Sequence, residues 1–82
     1  MKPVLYTLSA LKDLRRHEAI AKRVRKALGE YAADDNARAN NVTRLVGSPA
    51  KRLRLGDFRM IFEEDDERIL VTKIGPPGGV YR

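Results

Sequence analysis

Arg52, Arg54 and Arg59 are the residues of this chain with the most chemistry to offer. Each guanidinium is permanently charged and presents its N–H donors in a planar fork that matches a phosphate bidentately. Other reactive types are thinly supplied. His17 is the only histidine, and its place between Arg16 and Glu18 near a helix junction reads as a turn or surface residue rather than a base. Ser9 and Ser48 have no histidine partner, which argues against a serine hydrolase. The one carboxylate cluster, Glu63 to Glu67, reads as a solvated hairpin turn rather than a metal site. The glycines of Gly75-Pro76-Pro77-Gly78-Gly79 are followed by neither lysine nor helix, so they do not form a phosphate-binding loop. No metal and no cofactor is expected. What remains is a catalyst built from arginines and a tyrosine, or a protein that binds without catalysing.

Charge narrows the partners. Seventeen Lys and Arg against eleven Asp and Glu give +6 over 82 residues. Setting aside the five acids of residues 63–67 leaves 17 basic against 6 acidic side chains, or +11. Such an excess points to polyanions: nucleic acid, an acidic protein or an anionic membrane surface. The chain has no cysteine, so neither a disulfide framework nor a cysteine zinc site is expected. No run approaches the roughly 18–20 apolar residues of a membrane span, and Met1 to Tyr6 does not read as a signal peptide. The expectation is one domain over residues 1–82, in the cytoplasm and away from membranes.

The elements that must position the arginines follow from periodicity. Val4 to Leu8 reads as a strand, with Ser9 as N-cap of a first helix beginning Ala10-Leu11. A longer helix is predicted from about Glu18 to Ala33, because Ile20, Val24, Leu28 and Tyr31 make one apolar stripe opposite Lys22, Arg23, Arg25 and Lys26. Asp34 to Asn41 breaks it, with room for a short helical turn, and Val42 to Val46 leads into a loop at Gly47-Ser48-Pro49. From Ala50 the period becomes two. Two alternating runs around Gly56-Asp57 predict a hairpin, the acidic run a second turn, and Arg68 to Ile74 a further strand. The fold class is α+β: an N-terminal strand, a two-helix hairpin, then three to four antiparallel strands in one twisted sheet, with one sheet face covered by the helices.

A two-residue loop at Gly56-Asp57 pairs Leu55 with Phe58, Arg54 with Arg59, Leu53 with Met60 and Arg52 with Ile61. Leu53, Leu55, Phe58, Met60 and Phe62 then face the helices, and Arg52, Arg54 and Arg59 share the open face. Like charges directly opposed across strands are destabilising by a few tenths of a kcal/mol or more. Folding does not ask for that arrangement, whereas a polyanion laid on the sheet relieves it.

The stretches Arg44-Leu45-Val46-Gly47-Ser48-Pro49, Arg52-Leu53-Arg54-Leu55-Gly56-Asp57-Phe58-Arg59-Met60-Ile61-Phe62, Ile74-Gly75 and Val80-Tyr81-Arg82 resemble the RelE branch of the RelE/ParE toxins. The resemblance spans the chain and is most specific over Arg52 to Arg59. It implies a toxin of a type II toxin–antitoxin pair that cleaves mRNA on the ribosome without a metal. The implied partners are a cognate antitoxin, the ribosome and mRNA, with operator DNA reached only through the antitoxin. By matching position, Arg59 and Tyr81 are the implied catalytic residues, stabilising the transition state and orienting the cleaved nucleotide. Arg52 and Arg54, with Lys51 and Arg82, are the implied RNA contacts. One position departs from the pattern: Pro77 stands where a second catalytic arginine is expected, and proline has neither charge nor donor. An attenuated or inactive nuclease is therefore expected. The alternative is a ParE-like gyrase inhibitor without nuclease activity.

Overall fold

The stripe predicted for the second helix becomes the buried side of α2, Glu18–Ala33, where Val24, Ala27, Leu28, Tyr31 and Ala32 are buried. The structure is a computed structural model and describes residues 2–76. Ahead of α2 lie β1, Val4–Tyr6, and α1, Leu8–Arg16. The helix begins earlier than the sequence suggests, and Thr7 rather than Ser9 is its N-cap. Thr7 still pairs with the sheet through its N–H, which donates to Val71 O at 3.0 Å, while its Oγ1 accepts from Ala10 N at 3.1 Å. One residue thus ends the strand and opens the helix, which shortens β1 at Tyr6. His17 joins α1 to α2 and packs edge-on against Phe58, ring centroids 4.9 Å apart. It is a junction residue, as its neighbours suggested.

A 3-10 segment follows over Asp35–Asn41, broken at Arg38, with Asp34 Oδ1 accepting from Asn36 N. Four strands complete the chain: β2, Val42–Arg44; β3, Lys51–Leu55; β4, Phe58–Glu64; and β5, Ile69–Gly75. The sheet order is β1-β5-β4-β3-β2. β3, β4 and β5 are antiparallel neighbours, as expected; β2 adds to β3 antiparallel, and β1 joins β5 in parallel and makes the sheet mixed. That pairing joins residues more than sixty positions apart, beyond the reach of local pattern.

The hairpin register is the one that the Gly56-Asp57 turn requires: Leu55 opposite Phe58, Arg54 opposite Arg59, Leu53 opposite Met60 and Arg52 opposite Ile61. Gly56 adopts φ +58, the positive value that a two-residue hairpin loop needs at its first position. Leu53, Met60, Phe62, Ile69, Val71 and Ile74 meet Leu14, Val24, Leu28 and Tyr31 in the core between sheet and helices. Phe62 is the largest of the fully buried side chains, at the crossing of β4 with α2. Among the described residues no helix is long and apolar enough to cross a membrane.

Candidate nucleic-acid interface

Residues paired across a sheet share a face, so the register sorts every strand side chain. Against the helices lie the pairs Leu53–Met60, Met60–Ile74 and Phe62–Val71. On the outer face one row crosses the strands as Thr43, Arg52, Ile61 and Lys73, and the next as Arg54, Arg59 and Gly75. Ile61 is buried there with Ala50 and packs against Leu45. The loop between β2 and β3 therefore folds over part of this face, held by Leu45 N donating to Ala50 O and Ala50 N donating to Ser48 Oγ, both at 3.0 Å.

The structure brings Arg52, Arg54 and Arg59 together on the outer face. Arg54 is exposed and directly opposite Arg59. Arg59 turns its Nη1 back to the turn, donating to Gly56 O at 3.2 Å and to Phe58 O at 3.3 Å. Two carbonyl dipoles thus offset part of the repulsion without neutralising the charge. Lys51 is a different case. It shares the phase of Leu53 and Leu55, lies on the helix side, and donates to Glu64 Oε1 at 2.9 Å. It stands on the face opposite the arginines, held by a carboxylate. Tyr81, Arg82 and Pro77 lie outside the described residues.

Two features differ from or add to the sequence-based expectations. The first is Glu64, read as part of a solvated turn. Its side chain is only 6% exposed, and it accepts from Lys2 Nζ at 2.6 Å, Lys51 Nζ at 2.9 Å and Tyr31 OH at 2.7 Å. Burial alone would raise its pKa, but these donors outweigh burial and hold the carboxyl at about 2, from 4.5. The second is Asp13, buried on α1, whose Oδ2 accepts from Ile74 N at 2.9 Å. β1 pairs β5 only as far as Val71, so Asp13 supplies an acceptor to the strand edge that β1 leaves. It fixes the end of β5, where Gly75 lies opposite Arg59.

The helical face carries a groove of about 390 Å³ between α1 and α2, lined by Leu11, Leu14 and Ala21 with Arg15, Arg25 and Glu18 at its sides. Leu8 and Leu11 are exposed on α1. Arg25 also lies over the Tyr6 ring, 5.0 Å from its centroid.

No protein-family model matches this chain, and neither does any curated protein. Solved structures do. A chain of the RelB–RelE antitoxin–toxin complex from Methanococcus jannaschii matches with a TM-score of 0.72 at 20% identity, covering 94% of each chain. A chain of the intact Escherichia coli RelBE toxin–antitoxin complex also gives 0.72, at 22% identity over 93% of this chain and 96% of that one. YafQ of Escherichia coli strain BL21(DE3) gives 0.67 at 13% identity, with both chains covered in full. The chain has a RelE-like fold.

Proposed function

We propose that this chain is the toxin of a type II toxin–antitoxin pair and acts in the cytoplasm as a metal-independent endoribonuclease on ribosome-bound mRNA. The observation that carries the reading is the outer face, where Arg54 opposes Arg59 beside Arg52 with no folding advantage, on a fold shared with RelE structures. Permanent, planar cations in that array suit a phosphodiester backbone. Arg52 and Arg54 hold the RNA. The 2′-hydroxyl gives up its proton as its oxygen bonds to the phosphorus on the adjacent 3′-oxygen, the bond to the 5′-oxygen breaks and that oxygen takes up a proton, leaving a 2′,3′-cyclic phosphate and a 5′-hydroxyl. Arg59 stabilises the charge that gathers on the phosphorus oxygens in that transition state. Tyr81 orients the cleaved nucleotide. It follows Gly75 by six residues in the sequence, and Gly75 is opposite Arg59.

The partner is a cognate antitoxin. Two of the similar structures are antitoxin–toxin complexes, and the α1–α2 groove, apolar in its floor and largely basic at its sides, suits an acidic amphipathic segment. Pro77 removes one electrostatic group from the site. Losing one such preorganised group lowers the rate by about 100–1000-fold, so the chain is an attenuated nuclease.

The test is mRNA cleavage on programmed ribosomes, mapped by primer extension, for the chain and for Pro77→Arg. Weak cleavage by the chain and a rise of about 100-fold or more in Pro77→Arg are expected. Silence from both folded proteins refutes the nuclease reading and leaves gyrase inhibition to be tested by DNA breakage. Full cleavage by the unaltered chain refutes only the attenuation.

A further inference from the structure

Lys73 shares the outer face with the arginines. It pairs with Ile61, whose other neighbour is Arg52, so Arg52 and Lys73 flank Ile61 from β3 and β5. Arg59 is the diagonal neighbour of Lys73, at a separation of about 7–8 Å. A bulge puts Lys73 here: the register passes from Ile61–Lys73 to Phe62–Val71, leaving Thr72 as the extra residue on β5. Thr72 closes the irregularity by donating Oγ1 to Ile61 O at 3.3 Å, while its own carbonyl accepts from Thr7 Oγ1 at 3.4 Å. Without the extra residue, strict alternation from Ile69 and Val71 would aim Lys73 into the core.

The charge on Lys73 is not consumed by the fold. Among the described residues no carboxylate forms an ion pair with it and no acceptor bonds it. Glu63, on the same outer face, is separated from it by the bulge, which adds a residue between Lys73 and Leu70, the partner of Glu63. Lys73 is also half-buried.

We propose that Lys73 is a phosphate-binding residue of the outer face, taking an RNA phosphate on the β5 side of Arg59 while Arg52 and Arg54 take those on the β3 side. This rests on the reading of that face as an RNA-binding surface. The bulge is the device that delivers the cation, and the resulting track spans three strands.

The test is equilibrium binding of a fluorescein-labelled, 2′-O-methylated single-stranded RNA, which cannot be cleaved, by anisotropy over a salt series. The variants are Lys73→Gln, Lys73→Arg, Arg59→Gln and, as a control of equal charge change on the helical face, Lys22→Gln, each checked for folding by circular dichroism. One lost phosphate contact lowers the slope of log K against log salt by about 0.7 for single strands. Lys73→Gln and Arg59→Gln are each expected to show that loss, Lys73→Arg to retain the slope, and Lys22→Gln to leave it unchanged. If Lys73→Gln keeps the full slope, or loses no more than Lys22→Gln, while Arg59→Gln loses it, the role of Lys73 is overturned and the RNA surface stands. Absence of salt-dependent binding by the unaltered chain overturns both.

Discussion

Replacing Glu64 by Gln tests whether its carboxylate clamps the fold. Glu64 joins the residue ahead of β1 through Lys2, α2 through Tyr31 and β3 through Lys51. Its pKa is lowered from 4.5 to about 2, so its folded form binds a proton less readily than its unfolded form. Stability from this group is therefore complete above the unfolded value, and it is lost as pH falls from about 4.5 towards 2. At 1.36 kcal/mol per pH unit the depression amounts to about 3 kcal/mol at pH 7. By the same linkage, less than half of it remains at pH 3. Glutamine keeps the shape and two hydrogen-bonding atoms but not the charge, so it resembles the protonated acid.

Urea unfolding of the chain and of Glu64→Gln, at pH 7, 5, 4 and 3, reads the difference directly. It should be about 3 kcal/mol at neutral pH and fall to less than half of that at pH 3. Glu30 and Asp65 also have lowered pKa values, the first through its hydrogen bonds from Arg38 and the second through the backbone N–H groups of Glu67 and Arg68. Both are present in both proteins and cancel from the difference. A gap that stays constant from pH 7 to pH 3 would refute the argument, because the loss would then come from packing rather than charge.

Arg54→Gln removes the like-charge pair with Arg59. It should stabilise the fold by a few tenths of a kcal/mol in urea unfolding while weakening RNA binding, and a loss of stability would refute the reading of that pair as functional strain. Asp13→Ala leaves the buried Ile74 N–H without its acceptor. A loss of about 2 kcal/mol is expected from a hydrogen bond to a charged group, with earlier amide exchange at the Ile74 end of β5, and a change below about 0.5 kcal/mol would exclude a charged acceptor's contribution.

Much of the sheet was legible because a two-residue turn led by glycine fixes pairing for the whole hairpin. Leu53 to Met60 and Arg54 to Arg59 followed from that turn alone. The same alternation held a signal that residue type obscured. Glu64 is in phase with Met60 and Phe62, and Lys51 with Leu53 and Leu55, so both belong on the helix side. Reading the first as part of a solvated acidic turn hid the ion pair that the two form. Lys73 was illegible for another reason: the extra residue at Thr72 reverses the phase of β5, and nothing in Val71-Thr72-Lys73 marks a bulge. Ser9 lost the cap to Thr7 because tertiary pairing to Val71 decided where the strand ended.

The two charge systems of this chain are kept apart, and their magnitudes explain why the outer face can hold like charges directly opposed. Along β4 the outward side chains run Arg59, Ile61, Glu63, from cation to carboxylate over about 14 Å. A polyanion lying along that strand would meet its own sign. Across the strands it meets Arg54 and Arg59 in one row and Arg52 and Lys73 in the next. The favoured path therefore crosses the sheet near the Gly56 turn, at the end where β5 leads into Pro76. The Glu64 clamp sits at the other end of β4 and on the other face. Repulsion between opposed arginines is worth a few tenths of a kcal/mol, against about 3 kcal/mol from one satisfied, largely buried carboxylate. A fold with that margin can carry opposed arginines on its outer face.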